Sequence, residues 1–172
     1  MMLVMSYYVD QVYGVTVVDN IMYVVCSESR TILQYNTDTY SPLGVINVDG
    51  MKDPSDITVS DRQLYIADLD YCVWRVSADD QSYVKWLSTE STTDTFHVTT
   101  LSVTSRHLLV TSRQPPSLRQ YEMTHRRLLR VVEVPRYVNW LCHGVETTRG
   151  TFVIGHSGTA QDQQQEQTAV SE

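Results

Sequence analysis

Paired cysteines, phosphate-cradling glycine loops and long apolar runs are all missing from this 172-residue sequence. The three cysteines, Cys26, Cys72 and Cys142, lie far apart, are odd in number and form no CxxC pair. A disulfide framework is therefore excluded as the organising principle, and a reducing, cytoplasmic setting is expected. No run approaches the ~18 apolar residues that a transmembrane helix needs. The opening MMLVMSYYV is short and has no basic n-region, which makes it a poor signal peptide. There is no glycine-rich phosphate loop and no GxSxG elbow for nucleophilic catalysis. Helix-favouring Ala and Glu are sparse, and no apolar stripe at i, i+3, i+4, i+7 persists through a useful window.

What is present is a repeat. Val15–Val25 (VTVVDNIMYVV) lies over Ile57–Ala67 (ITVSDRQLYIA), with Val17 on Val59, Asp19 on Asp61 and Tyr23 on Tyr65, an offset of 42. Ile32-Leu33-Gln34-Tyr35 then matches Val73-Trp74-Arg75-Val76 at an offset of 41. A third copy runs from Leu101 to Thr111 and on through Leu118-Arg119-Gln120-Tyr121, about 44 residues later. A fourth begins at Gly144-Val145-Glu146, reaches Ile154 and stops half-way through the unit.

Within each copy, short runs rich in Val, Ile and Tyr are broken by Asp, Asn, Ser, Gly or Arg pairs. Such runs read as strands. In the second copy they fall near 55–59, 63–67, 72–77 and 83–87, and in the fourth near 142–147 and 151–156. Four strands per unit, at a period in the low forties, predict an all-β chain: a partial β-propeller of about 3.5 four-stranded blades in an open arc. The blades occupy approximately 12–53, 54–94, 95–138 and 139–158, with a strand at Leu3–Val9 before them. Residues 159–172 form a polar, Gln-rich tail with too little apolar content to order itself. A buried stripe of Ile57, Val59, Leu64, Ile66, Val73 and Trp74 is expected in the second blade. In the half-built fourth blade, Phe152 and Ile154 are expected on or beside an uncovered edge, so the isolated chain is expected to self-associate. It also reads as a fragment of a longer protein.

The segment Pro54–Ser77, PSDITVSDRQLYIADLDYCVWRVS, resembles the NHL repeat. It has the leading proline, the alternating strand Ile57/Val59, the Asp61 turn, the LYVAD-like Leu64–Asp68 and an aromatic-apolar third strand at Val73–Val76. The other copies depart from the pattern, at Val25-Cys26 and at Thr111-Ser112. The resemblance implies a ring that holds proteins or RNA on one face. In some relatives that ring forms the substrate-reading end of tripartite-motif ubiquitin ligases. This sequence contains no RING or B-box array.

Charge is unevenly spread. Residues 1–94 carry five basic and fourteen acidic side chains, net −9, whereas 95–160 carry eight and three, net +5. The arginines of the third blade read most simply as a solvated rim. The alternative is a single-stranded RNA or partner site built from Arg119, Arg126, Arg127 and Arg130. The five histidines are scattered, and Cys142-His143 is the one close pair for a metal, yet adjacent strand residues point to opposite faces. Asp68 with Asp70 could imitate part of the carboxylate set of a channel-metal propeller hydrolase. The plainer reading is an end-of-strand Asp satisfying a turn. Trp74, Trp86 and Trp140 could stack bases but suit core packing as well. The sequence therefore points to a non-catalytic interaction scaffold with a protein partner. No catalytic, metal or cofactor site is expected.

Overall fold

The computed structural model describes residues 11–27, 29–69, 72–88, 96–135, 138 and 140–157. The Leu3–Val9 strand, Asp70, Arg136 and the tail lie outside them.

The described residues form fourteen strands and no helix. The first sheet is a meander of β1 (Val12–Val18), β2 (Ile21–Cys26), β3 (Thr31–Asn36) and β4 (Pro42–Asn47). The second repeats it with β5 (Pro54–Ser60), β6 (Gln63–Asp68), β7 (Cys72–Ser77) and β8 (Tyr83–Ser88). A third holds β9 (Val98–Val103), β10 (His107–Arg113), β11 (Pro116–Glu122) and β12 (Arg127–Glu133). The fourth has two strands, β13 (Trp140–Glu146) and β14 (Phe152–Ser157). All neighbouring strands run antiparallel, and the sheets do not close into a ring.

In the first, second and fourth blades the turn between first and second strands uses left-handed backbone, and the sequence supplies residues that tolerate it. Asp19 has φ 50°, Asp61 has φ 47° and Gly150 has φ 75°. At the start of each first strand the register slips by one residue, leaving a bulge at Tyr13, Ser55, Thr99 and Cys142. A bulge bends the strand and turns a carbonyl out of its own ladder. The neighbouring blade uses these carbonyls: Ser55 Oγ donates to Thr99 O at 2.8 Å and Thr100 Oγ1 to Cys142 O at 3.1 Å. Ser102 Oγ adds a bond to Gly144 O at 2.8 Å. The first strands of blades two, three and four are thus stitched side by side.

Because the second and third blades are covered on both faces, their strands bury alternate residues into two different joints. Leu64, Ile66, Trp74 and Val76 pack against Tyr23, Val25, Ile32 and Ile46 of the first blade. Tyr65, Ala67, Val73 and Trp86 pack against Phe96, Leu101, Leu108 and Val110 of the third. The expected single stripe therefore splits, with Val73 and Trp74 on opposite faces, as adjacent strand residues must be. Val59 is half-buried at the margin of the first joint.

In the fourth blade Phe152 and Ile154 lie on β14, an edge strand that pairs with β13 alone among the described strands, as expected. Phe152 and Ile154 turn inward onto Leu109, Leu118 and Leu141, and it is Val145 and Val153 that face solvent. β13 begins two residues earlier than expected and carries its bulge at Cys142. That sets which residues face inward. Two glycines mark the tightest approaches. A Cβ on Gly14 would lie 2.7 Å from the backbone N of Ile57, and one on Gly144 would lie 2.5 Å from Leu118 Cδ2.

Candidate functional site

Asp68 ends β6 fully buried. Its Oδ1 accepts the Asp53 amide at 3.0 Å, and its Oδ2 accepts the Lys52 amide at 3.1 Å and the Trp74 indole N–H at 3.0 Å. The carboxylate pins the loop between the first two blades onto the second. With its oxygens already accepting these donors, it is built as a structural tie. Among the described residues, no group of three or more His, Cys, Asp and Glu side chains is arranged to hold a metal ion.

The four arginines singled out from the sequence do not form one surface. Arg119 faces the second blade, is 4% exposed and stacks over the Phe96 ring at 3.9 Å. Arg130 faces the fourth blade, where its Nε donates to Gln120 Oε1 at 2.9 Å and its guanidinium lies 4.3 Å over Phe152. Strand alternation sends these two into different joints, which takes Arg119 off any ligand-accessible face. Arg126, with φ 58°, and Arg127 remain exposed at the β11–β12 turn. Trp74 and Trp86 are buried in the joints, so neither offers a stacking platform.

Sequence reasoning missed a polar network between blades three and four. Gln120 Nε2 donates to Glu146 Oε2 at 2.6 Å, His107 Nδ1 lies 2.9 Å from that amide, and Arg130 reaches Glu146 Oε1 at 3.4 Å. Its members come from four strands: His107, Gln120 and Arg130 from neighbouring strands of the third sheet, and Glu146 from the fourth. No local spacing signals it. Asp56 accepts the amides of Leu101 and Ile57, both at 2.8 Å. Burial pushes its carboxyl above the ordinary value, while those two bonds and the nearby His143 pull the other way.

A cleft of about 710 Å³ lies between blades two and three, on the face carrying the β5–β6, β9–β10 and β11–β12 turns. Tyr65 and Arg75 form part of its wall, with Arg106, His107, Glu122 and Arg127 nearer the turns. Burial raises the Tyr65 hydroxyl pKa, and a hydrogen bond from Arg75 opposes that shift. Burial disfavours the charge on Glu122 too, but hydrogen bonds from the amide and ring of His125 and from Thr124 outweigh it and hold the carboxyl at about 2. This acid is therefore ionised and spoken for by its own turn. Arg106 and Arg127 are exposed, and their guanidinium groups make no hydrogen bond or ion pair among the described residues. By contrast, Arg62 at the preceding turn is held by Asp19 and Asp79. In the sequence, Arg106 falls on Arg62 of the second copy at an offset of 44, and Ser105 stands where that copy has Asp61.

No helix among the described residues is long and apolar enough to cross a membrane. No protein-family model matches the chain, and no curated protein matches it by sequence. Solved structures do match. The chain aligns with the computationally designed Ika4 protein at TM-score 0.61 and 14% identity, over 89% of this chain and 95% of that one. It aligns with the WD40 β-propeller domain of Doa1 at TM-score 0.68 and 14% identity, over 85% and 48%. Hydrazine synthase of Kuenenia stuttgartiensis aligns at TM-score 0.71 and 15% identity, over 87% and 45%. The chain thus spans about half the length of the last two. At such identities the likeness speaks for fold alone, and together with the four sheets it makes this chain a partial β-propeller.

Proposed function

We propose that this chain is a non-catalytic interaction scaffold that holds an acidic segment of a partner protein in the cleft between its second and third blades. The observation that carries the reading is the pair Arg106 and Arg127, two uncommitted guanidinium groups at the mouth of a recess that also contains Arg75. Guanidinium groups take carboxylates in bidentate, charge-assisted pairs, and the walls of a cleft shield such pairs from solvent. The same cleft holds two carboxylates, Asp61 and Glu122, against the guanidinium groups of Arg75, Arg106 and Arg127, and Glu122 is held to its own turn by the amide of His125. The NHL-like second blade suggests a cytoplasmic setting, as the substrate-reading part of a tripartite-motif-like ligase.

The reading is tested by fluorescence anisotropy with a labelled Glu/Asp-rich peptide, and with single-stranded RNA of matched charge as comparator. Peptide binding that weakens at least tenfold in the Arg106→Ala/Arg127→Ala double variant is expected, with a milder response to salt than RNA would give. Preferential RNA binding, or peptide binding indifferent to the double substitution, defeats the reading.

A further inference from the structure

Equivalent positions in the four blades meet different fates at the two ends of the arc. On second strands, Tyr23, Tyr65, Leu109 and Val153 occupy one repeat position, at offsets of 42, 44 and 44. The first three lie beneath the following blade at 1%, 4% and 1% exposure, while Val153 is 57% exposed. On first strands, Val15, Ile57 and Leu101 share the position that pairs with Val24, Ile66 and Val110. Ile57 and Leu101 lie against the preceding blade at 4% and 2%, while Val15 is 50% exposed. Val17 and Val45 extend the open face of the first blade, and Val145 that of the fourth.

Each end therefore presents the half-joint that the other end lacks. We propose that a second copy of this chain closes the ring. The outward face of blade four in one copy seats the outward face of blade one in the other, at two equivalent head-to-tail joints. Two further observations favour a second copy. The chain spans 48% of the Doa1 propeller domain, so one copy is half an arc and two complete a turn. Charge favours head-to-tail pairing as well, since it brings residues 1–94, net −9, beside residues 95–160, net +5, or +2 with the three acids of residues 161–172 included. Head-to-tail contacts polymerise unless the rotation closes, and a half-turn per copy closes at two.

Light scattering coupled to size exclusion tests this on the full chain, with a particle of twice the 19.7 kDa chain mass expected. Val153→Glu and Val15→Arg should each weaken association at least tenfold. Both residues are exposed within one copy, so the blades should keep their far-ultraviolet circular dichroism. Mixing the two variants should restore the dimer, because one joint is then native and the other pairs Glu with Arg. A native monomer, open-ended polymers, a dimer that survives both substitutions, or a mixture that stays monomeric would each overturn the proposal.

Discussion

The joint between blades one and two and the joint between blades three and four do the same job with different chemistry. The first is sealed by thirteen buried residues, among them Tyr23, Ile32, Leu64, Ile66 and Trp74, with the Asp68 carboxylate locking the connecting loop. The second has a buried cluster of four, Leu109, Leu118, Val138 and Leu141. Around it stand Arg130 over Phe152 and the Gln120–Glu146–His107 network. Apolar burial is non-directional and scarcely affected by salt, whereas ion pairs and cation–π contacts are screened and depend on geometry. A common backbone unit thus tolerates either means of joining, and the two joints should fail under different stresses.

The largest test strikes the apolar joint. Ile66→Ala should cost about 2–5 kcal/mol in chemical denaturation, because the side chain is fully buried among large neighbours that cannot collapse onto the space. A loss below about 0.5 kcal/mol would mean that the first joint is as loosely sealed as the last.

The two close glycines sharpen the comparison. Gly14→Ala would press a methyl against the Ile57 backbone, and Gly144→Ala would press one against the end of the Leu118 side chain. Overpacking costs about 1–3 kcal/mol, and a side chain yields more readily than a ladder strand. Gly14→Ala should therefore lower the unfolding midpoint more than Gly144→Ala. The reverse order would show that the third joint is the more rigid.

The smallest effect is electrostatic and belongs to the basic half. Glu122, held at about 2 against an ordinary 4.5, contributes stability that is present above 4.5 and lost as pH falls towards 2. Thermal midpoints measured from pH 5 to 2 should decline less in Glu122→Gln than in the native chain. Parallel curves would assign the acid loss to other carboxylates, such as Asp80, which is likewise held at about 2 by Ser82 and Ser77.

The repeat itself was legible in the sequence because turns and strands recur at a nearly fixed offset. Asp19 and Asp61 take the same left-handed turn, and the strands of the second blade fall within one or two residues of their expected bounds. The direction in which each side chain points was harder to read. A strand covered on both faces shows no apolar–polar alternation, so Val73 and Trp74 looked like one stripe. The arginines were misgrouped for a related reason. Their clustering along the chain says nothing of the joints that separate Arg119 from Arg130, and stacking on Phe96 and Phe152 is a long-range pairing without a local signature. The cleft joins turns and strands from two blades, so its lining emerges only once those blades are placed side by side.

The hydroxyl stitches between blades have a consequence for how such a chain can change over generations. Ser55, Thr100 and Ser102 cross from blade to blade through single side-chain bonds to a neighbour's carbonyl, and the blades fall in separate four- and two-stranded sheets. Copying or excising one unit of some 42–44 residues would therefore break no backbone ladder. It would ask only that a serine or threonine meet a bulge carbonyl at the new junction, a requirement that a single codon change can meet. Blade number in this architecture is free to drift by whole units, and selection acts on whether the resulting arc can find its complement.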